Sequence, residues 1–457
     1  MTAKASAAHT ALTPRNFAGF AAMMLLIEFM IVGMGAIDLL MIAPLGLQHI
    51  AALGLGDLIA IALFAFFTGL VHAYASQLAL AEGQGTVAKR LPDLAAAVLL
   101  ILLGFQVVAL GLALLAEPAL HLLGQDRHVI PGASAYLETR LSGVIPAITA
   151  SAMAATLRIC GARRQSIIVL GAGFGANALF NYVLLYTEAA SIFESPERAV
   201  AVATILAQAL MIPVGYTFLR SILRKRGEPL ARISGSGVSV EVRGLAPTAC
   251  GVGGRNINDY MSATLPILFI GTLGAQFLAA TVVASKLYTL YCRLPQSAFE
   301  AAFVFYGYVG GEQRSRLVSV AGRLTKYCAI VTFTSTLAVL FATPWLIQMF
   351  SGDGLDQELA RLMFYAYMLS IPFYFADQLL ARFLVVHGQG GILFGTSLLT
   401  YLVALPLASV AVFVYESAFW AIASRGVVFA ISGILLWMAL RRSWTRADSM
   451  DNVIANG

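Results

Sequence analysis

The stretch Leu45-Gly46-Leu47-Gln48-His49-Ile50-Ala51-Ala52 occurs again, in altered form, about half a chain later as Leu273-Gly274-Ala275-Gln276-Phe277-Leu278-Ala279-Ala280. The shared pattern is Leu-Gly-x-Gln-x-x-Ala-Ala. Other pairs of residues follow nearly the same offset: Gly83 and Gly311, Gly124 and Gly352, Pro146 and Pro372, and Gly161 and Gly388. We interpret the chain as two copies of one unit. Internal repeats of this length in an apolar chain are typical of transporters.

The composition indicates a protein that is dissolved in a lipid bilayer. Hydrophobic residues make up 59% of the chain and charged residues only 11%, which is less than half the charged fraction of a typical soluble domain. The four cysteines are scattered and have neither the spacing of a zinc site nor that of a disulfide framework. We therefore expect a polytopic membrane protein without a metal or a prosthetic group.

Apolar stretches long enough to cross a bilayer predict an all-α protein of about twelve transmembrane helices, six in each copy. They lie at about 17–43, 52–79, 93–116, 131–159, 165–187, 198–222, 245–271, 279–309, 322–347, 360–386, 391–415 and 417–440. The predicted organisation is therefore a tail (1–16), a six-helix lobe (17–222), a linker (223–244), a second six-helix lobe (245–440) and a second tail (441–457). The first apolar run is too long for a cleaved signal peptide.

The charge distribution predicts the orientation. Most basic residues, among them the run Arg224-Lys225-Arg226, fall on one side of the predicted spans, so the positive-inside rule places both termini in the cytoplasm. The net charge of +6 is thus a topology signal, and no nucleic acid partner is expected. The predicted linker, with its basic start and its Ser-Gly repeats, is expected to be flexible and to attract anionic lipid headgroups.

Charged side chains inside predicted spans are candidates for function, because an unpaired charge in a membrane costs several kcal/mol. Asp38 in the first span and Asp377 in the tenth have no ideally spaced basic partner on their own helix. Asp259 follows Arg255 at the spacing of an intrahelical ion pair, so a paired structural charge and an ion or substrate site are both open for it.

Two further polar patterns occur within predicted spans. Lys286, Arg293 and Glu300 recur every seven residues in span eight and share one helix face, where local charge balance and binding of anionic substrate groups are alternatives. Asn177 and Asn181 lie one turn apart in span five. They either hold helices together or orient an ion or a carboxyl group. We interpret the isolated charges as structural or interfacial, namely Glu28, His72, Glu138, Arg140 and Arg425.

These residues resemble the multidrug and toxic compound extrusion (MATE) family of secondary transporters over nearly the whole chain, about 17 to 440. The resemblance rests on Ile37-Asp38 followed by Met41 and Leu45-Gly46, on Leu157-Arg158 with Gly161 and Arg164, and on Asn177-x-x-x-Asn181-Tyr182. Asp377 falls at the acidic position that the NorM-like branch has in span ten. Asp259 stands where that branch has a glutamate, and Phe373 where it tends to have a tyrosine.

The resemblance implies a V-shaped pair of six-helix lobes that exports organic compounds in exchange for entering Na⁺ or H⁺. We expect a monomeric antiporter of the bacterial inner membrane, without a cofactor, whose substrates are drugs, toxins or a secreted metabolite such as a siderophore. The expected coupling residues are Asp38, Asn177, Asn181, Asp259 and Asp377, with both asparagines hydrogen-bonded to Asp38. The expected lining of the substrate cavity is Met41, Lys286, Tyr288, Arg293, Glu300, Phe303, Tyr365 and Tyr374.

Two other functional classes are open at this point. A flippase for lipid-linked precursors needs a cationic cavity to receive pyrophosphate, which Lys286, Arg293 and Arg382 support and the buried acids oppose. A membrane-embedded enzyme is disfavoured, because the chain has no HExxH or GxSxG motif and no His/Asp cluster. It also lacks a GxxxxGK[ST] phosphate loop, which argues against ATP-driven pumping by this chain alone.

Overall fold

A computed structural model of the protein describes residues 13–83, 85–227, 231–312, 317–350, 354–386 and 390–455. For some residues inside these ranges, among them Arg255 and Asp259, the structure describes the backbone and not the side chain. All regular structure in the described residues is helical, so the predicted all-α fold is confirmed.

Fifteen α-helices and two short 3-10 helices, Ala43–Leu45 and Glu188–Ile192, occur in the described ranges. The α-helices are α1 (Pro14–Ile42), α2 (Leu47–Gly83), α3 (Val87–Leu114), α4 (Ala116–Leu122), α5 (Ile130–Ser142), α6 (Val144–Ile159), α7 (Arg163–Tyr186), α8 (Pro196–Arg226), α9 (Gly235–Gly271), α10 (Ala275–Glu312), α11 (Leu317–Met349), α12 (Gln357–Met368), α13 (Ile371–Val386), α14 (Gly390–Phe413) and α15 (Ala418–Ala455).

The number of membrane spans depends on how bent helices are counted. Among the described residues, 7 helices are long and apolar enough to cross a membrane, or up to 10 if each of three bent pairs is one span. The two other predicted spans fall in α9 and α10, which are 37 and 38 residues long and exceed the roughly 20 residues that a bilayer requires. The chain is therefore a multi-pass membrane protein.

Two of the bent spans lie at equivalent places in the sequence repeat. The helix pair α5 and α6 is bent by 55° and the pair α12 and α13 by 42°. Pro146 and Pro372, which the sequence comparison pairs, each follow the break within a few residues. Proline has no N–H and clashes with the carbonyl of the preceding turn. Proline therefore breaks both spans at equivalent positions of the repeat.

The glycine of the repeated motif has the same backbone conformation in both copies. Gly46, between α1 and α2, has φ 121°, and Gly274, between α9 and α10, has φ 115°. In both copies the glycine carbonyl accepts the first hydrogen bond of the following helix, from Ile50 and from Leu278. Positive φ disfavours any residue with a Cβ. Glycine thus recurs in the motif because each copy turns sharply between two spans.

The described helices form two compact units, each of which we treat separately. The larger unit comprises Gly33–Val282 with Phe350–Leu355, and the smaller unit comprises Met1–Val32, Val283–Met349 and Asp356–Gly457. Span seven, which the repeat assigns to the second lobe, falls in the larger unit, where α2 packs along α9. A Cβ on Gly69 would overlap the Ala249 carbonyl and Gly253, so the two backbones touch there. The assignment of six helices to each lobe stays a prediction.

The connection before α9 is shorter than the sequence predicted. α9 begins at Gly235, where the Ser234 side chain accepts a hydrogen bond from the Gly237 amide, and not near residue 245. Its first turns are attached to α3, because Arg90 pairs with Glu241 at 2.8 Å and Asp93 accepts the Ser234 amide at 2.7 Å. About half of the predicted flexible linker is therefore a helix with a capped and anchored start.

Candidate functional site

Asp38 lies near the end of α1, in the larger unit, and is 3% exposed. Its Oδ1 accepts hydrogen bonds from Nδ2 of Asn181 at 2.7 Å and of Asn177 at 3.0 Å. Its Oδ2 accepts a hydrogen bond from Thr204 Oγ1 on α8 at 2.9 Å. The predicted hydrogen bonds from both asparagines are present, and Thr204 is an additional donor. We call these four residues the Asp38 cluster.

Close helix packing brings the cluster together. The two asparagines are one turn apart on α7, so both side chains lie on the face that meets α1. A Cβ on Gly33 of α1 would lie 2.6 Å from the Phe174 ring of α7, and one on Gly173 would overlap Met211 of α8. Glycine at these two positions therefore allows three helices to approach closely enough for direct side-chain hydrogen bonds.

The cluster has unused hydrogen-bonding capacity. The Oδ1 atoms of Asn177 and Asn181 are buried and have no hydrogen-bond partner among the residues that the structure describes, which is uncommon for buried polar atoms. No basic side chain forms an ion pair with Asp38 in the described part of the chain. The site thus combines a carboxylate, two free amide oxygens and a hydroxyl. Such a set of oxygen atoms suits a small hard cation or a proton.

A second group of polar side chains connects α2, α5 and α8. The Tyr136 hydroxyl of α5 donates to Asp57 Oδ1 of α2 at 3.1 Å. One turn further along α5, Arg140 lies over the Phe64 ring at 4.9 Å and reaches Gln208 of α8 at 3.4 Å. The sequence analysis treated Arg140 as structural and did not find Asp57 or Tyr136. The one sequence signal for this group was the four-residue spacing of Tyr136 and Arg140, which places both side chains on one face of α5.

In the smaller unit, Asp377 of α13 is 8% exposed and accepts a hydrogen bond from Gln378 Nε2 at 3.0 Å. Arg382, five residues further along the same helix, pairs with Glu300 of α10 at 2.7 Å. Asp377 and Glu300, both functional candidates from the sequence, therefore have different partners. Glu300 is in an ion pair, whereas an amide group donates to Asp377.

The regularly spaced charges of span eight also meet partners from distant parts of the chain. Arg293 pairs with Glu28 of α1 at 3.0 Å, although the sequence analysis treated Glu28 as isolated. Arg293 and Glu300 are thus each balanced by an opposite charge. For these two residues the structure supports the local charge balance that was one of the two alternatives.

The aromatic residues predicted to line a cavity differ in burial. Tyr288 and Tyr374 are each 5% exposed. The Tyr288 ring stacks on Tyr367 at 4.9 Å, and Arg425 lies over both rings. Tyr365 is 39% exposed. Four of the remaining candidates are half-buried, namely Met41, Lys286, Arg293 and Phe303. Their place in a substrate cavity stays a prediction.

The prediction for Asp259 cannot be compared with geometry, because its side chain and that of Arg255 lie outside the described residues. The backbone at both positions is part of α9. An intrahelical pair and an ion site therefore both stay predictions for this residue.

Solved structures of similar fold are membrane transporters. An inward-facing multidrug resistance transporter of the MATE family and MOP superfamily is 15% identical, with a TM-score of 0.73 over 94% of this chain and 99% of its own. The eukaryotic MATE transporter AtDTX14 is 15% identical, with a TM-score of 0.70 over 95% and 98%. A MOP superfamily transporter from Pyrococcus furiosus has a TM-score of 0.70 at 15% identity over 96% and 98%, and its reverse polarity of binding pocket is said to suggest a different function.

The family comparison agrees with the duplication and the fold. A comparison with curated protein sequences gave no match. The family model MatE matches residues 24–183 and 254–410, which begin about half a chain apart and together make up more than half of the sequence. With the all-α fold and the resemblance of the first span, these matches show that the chain belongs to the MatE family of transporters.

Proposed function

We propose that the protein exports small organic compounds from the cytoplasm in exchange for a monovalent cation that enters through the Asp38 cluster. The observation that carries this proposal is the buried Asp38 carboxylate. Among the described residues it is held only by neutral donors, and two amide oxygens beside it have no partner. Polar and charged groups inside membrane proteins mark ion and substrate pathways. The family membership supports efflux transport in general, and the cluster supplies a specific place for the coupling ion.

The amide groups allow the cluster to accommodate two states. While Asp38 is charged, the Asn177 and Asn181 N–H groups donate to it. When a proton or Na⁺ arrives, a rotated amide presents its oxygen instead, because each amide has both donors and an acceptor. Coupling follows if the ion and the substrate favour different arrangements of the helices. The same three residues, Asn177, Asn181 and Thr204, then hold Asp38 in both states.

The location and the orientation are part of the proposal. We place the protein in a bacterial inner membrane as a monomer with both termini in the cytoplasm. The basic run Arg224-Lys225-Arg226 at the end of α8 supports this orientation by the positive-inside rule. No cofactor and no nucleic acid partner are proposed, and transport rather than enzymatic turnover is the activity.

The substrate class follows from the relatives and from the charges. Two of the similar structures are described as multidrug resistance transporters, which supports drugs, toxins or a secreted metabolite as substrates of this chain. A flippase is not favoured. Arg293 and Arg382, which would make its cavity cationic, are paired with Glu28 and Glu300.

The test is export of ethidium from proteoliposomes under an imposed H⁺ or Na⁺ gradient. We expect one of the gradients to drive export in the wild-type protein and Asp38→Asn to abolish it at equal reconstituted amounts. Asp126→Asn is the matched control, because Asp126 accepts the His128 amide in an exposed turn in which asparagine serves equally well. Wild-type transport by Asp38→Asn, or no export under either gradient, would contradict the proposal.

A further inference from the structure

A cavity of about 420 Å³ opens in the larger unit where α2, α5 and α8 begin. Its lining includes His49 of α2 and Glu197 of α8. Their side chains are in direct contact, with His49 Nδ1 2.7 Å from Glu197 Oε1. In the proposed orientation this end of the three helices faces the non-cytoplasmic side. The residues of this cavity have no role in the coupling site described so far.

Glu197 is a buried carboxylate at the edge of an open cavity. It is only 2% exposed, whereas the His49 side chain is 35% exposed. The carboxylate lies against Gly132 of α5, where a Cβ would be 2.8 Å from Glu197 Oε1 and 2.9 Å from the Ala52 Cβ. In the described part of the chain, His49 is the one ionic partner of Glu197. The pair is thus a buried acid connected to the cavity by a more accessible imidazole.

The other charged groups of the cavity balance one another. Arg198 pairs with Glu194 and, at 3.4 Å, with Glu138. Glu117 lies 3.9 Å from His121, and His128 is an exposed lining residue. None of these pairs includes Glu197. His49 is therefore the cavity residue that contacts the Glu197 carboxylate and can itself gain or lose a proton near neutral pH.

The outer pair shares α8 with the Asp38 cluster and α2 with Asp57, which lies outside that cluster. On α8, Thr204 follows Glu197 by seven residues, and on α2, Asp57 follows His49 by eight. Both spacings keep a helix face and correspond to roughly 10–12 Å along the axis. On α5, Tyr136, the donor to Asp57, follows Gly132 by one turn. Three helices thus present an outer polar level and an inner one about two turns deeper.

We propose that the His49–Glu197 pair takes up the coupling proton from the non-cytoplasmic side and delivers it to the Asp38 cluster, so that H⁺ is the coupling ion. This inference rests on the proposed antiport function. In the first step, a hydronium ion in the cavity gives a proton to the His49 imidazole and becomes water, and the resulting imidazolium pairs with the Glu197 carboxylate. In the second step, His49 loses this proton and the Asp38 carboxylate gains one.

The test measures proton-driven ethidium export by the full chain in proteoliposomes while the pH on the cavity side is varied from about 5 to about 8. We expect His49→Gln and Glu197→Gln to lower the rate about a hundredfold, the lower end of what a positioned proton-transfer group contributes, and to remove its dependence on that pH. Gly132→Ala keeps both titratable groups but displaces the carboxylate, and it should shift the same pH profile. His121→Gln, an exposed histidine outside the cavity lining, should retain the wild-type profile.

Two results would overturn the inference alone. One is a wild-type pH profile in both His49→Gln and Glu197→Gln while Asp38→Asn abolishes export. The other is wild-type export driven by a Na⁺ gradient at constant pH as fast as by a pH gradient. Export under neither gradient would overturn the antiport function and this inference together. If Glu197→Gln does not fold, His49→Gln, which changes a more exposed side chain, decides the outcome.

Discussion

Asp38 of the larger unit and two acids of the smaller unit, Glu28 and Glu300, are held in different ways. In the larger unit, Asp38 is held by two amides and a hydroxyl, and no basic side chain pairs with it within the described residues. In the smaller unit, Glu300 and Glu28 are each paired with an arginine, at 2.7 and 3.0 Å. These acids therefore differ in how easily their charge and their hydrogen bonds can change.

An arginine–carboxylate pair keeps both of its members charged, because arginine does not lose its proton in proteins and its charge favours the ionised carboxylate. Neutral donors place no such constraint on a carboxylate. Their hydrogen bonds can be rearranged when a proton or a metal cation arrives. The comparison thus supports the proposed ion coupling at the Asp38 cluster, and it predicts a mainly structural role for the ion pairs of the smaller unit.

The largest effect is expected from removing a neutral donor of the cluster. Asn181→Leu eliminates the shortest bond to Asp38, 2.7 Å, and a hydrogen bond to a charged group contributes about 1.5–3 kcal/mol. We expect the ion concentration for half-maximal export to change by about 10- to 100-fold. Asn256→Leu, whose amide meets Ala65 and Thr68 instead, is the matched control. An unchanged ion dependence in Asn181→Leu would break the comparison.

A smaller effect on export is expected from Asp377→Asn. The amide that donates to Asp377 belongs to its sequence neighbour Gln378, whereas the donors to Asp38 come from two other helices. Because substitution of Asp377 leaves no such contact between helices broken at this amide, a loss of less than about tenfold is expected, which corresponds to about 1.4 kcal/mol. Initial export rates of Asp377→Asn and Asp38→Asn, measured side by side, check this order. If Asp377→Asn removes export as completely as Asp38→Asn, the smaller unit also contains a coupling site.

The smallest effect is expected at the Glu300–Arg382 pair, whose side chains are 36% and 33% exposed. Ion pairs with this degree of exposure stabilise a fold by about 1 kcal/mol or less. Glu300→Gln and Arg382→Gln should each lower the melting midpoint slightly, and the double variant should lie near the better single variant. Export with an unchanged ion dependence is expected in all three. An altered ion dependence in the double variant would assign this pair a part in coupling.

The sequence predicted the fold and part of the cluster for identifiable reasons. Spans of about 20 apolar residues and a repeated Leu-Gly motif indicate membrane helices without any tertiary information. The spacing of Asn177 and Asn181 shows that both lie on one face, and the resemblance connected them to Asp38. Thr204 could not be found in this way, because a single threonine in an apolar helix gives no sign of its partner on another helix.

Long-range pairs were the other part that the sequence did not contain. Arg293 and Glu28 are far apart in the chain, and no spacing rule connects residues on different helices. The start of α9 was missed because glycines and serines at residues 234–237 indicated a loop. The structure uses Ser234 as the helix cap. Glycines and serines can therefore indicate either a loop or a helix start, and here packing against α3 favours the helix.

The most direct test of the central claim is to count the ions that the purified protein exchanges when a substrate binds. Ethidium is added to the protein in weakly buffered detergent solution while H⁺ and Na⁺ electrodes record release. We predict release of about one ion per dye molecule from the wild-type protein, because coupled ligands oppose each other's binding reciprocally, and no release from Asp38→Asn. Equal release from Asp38→Asn and the wild-type protein would show that the coupling ion is bound elsewhere.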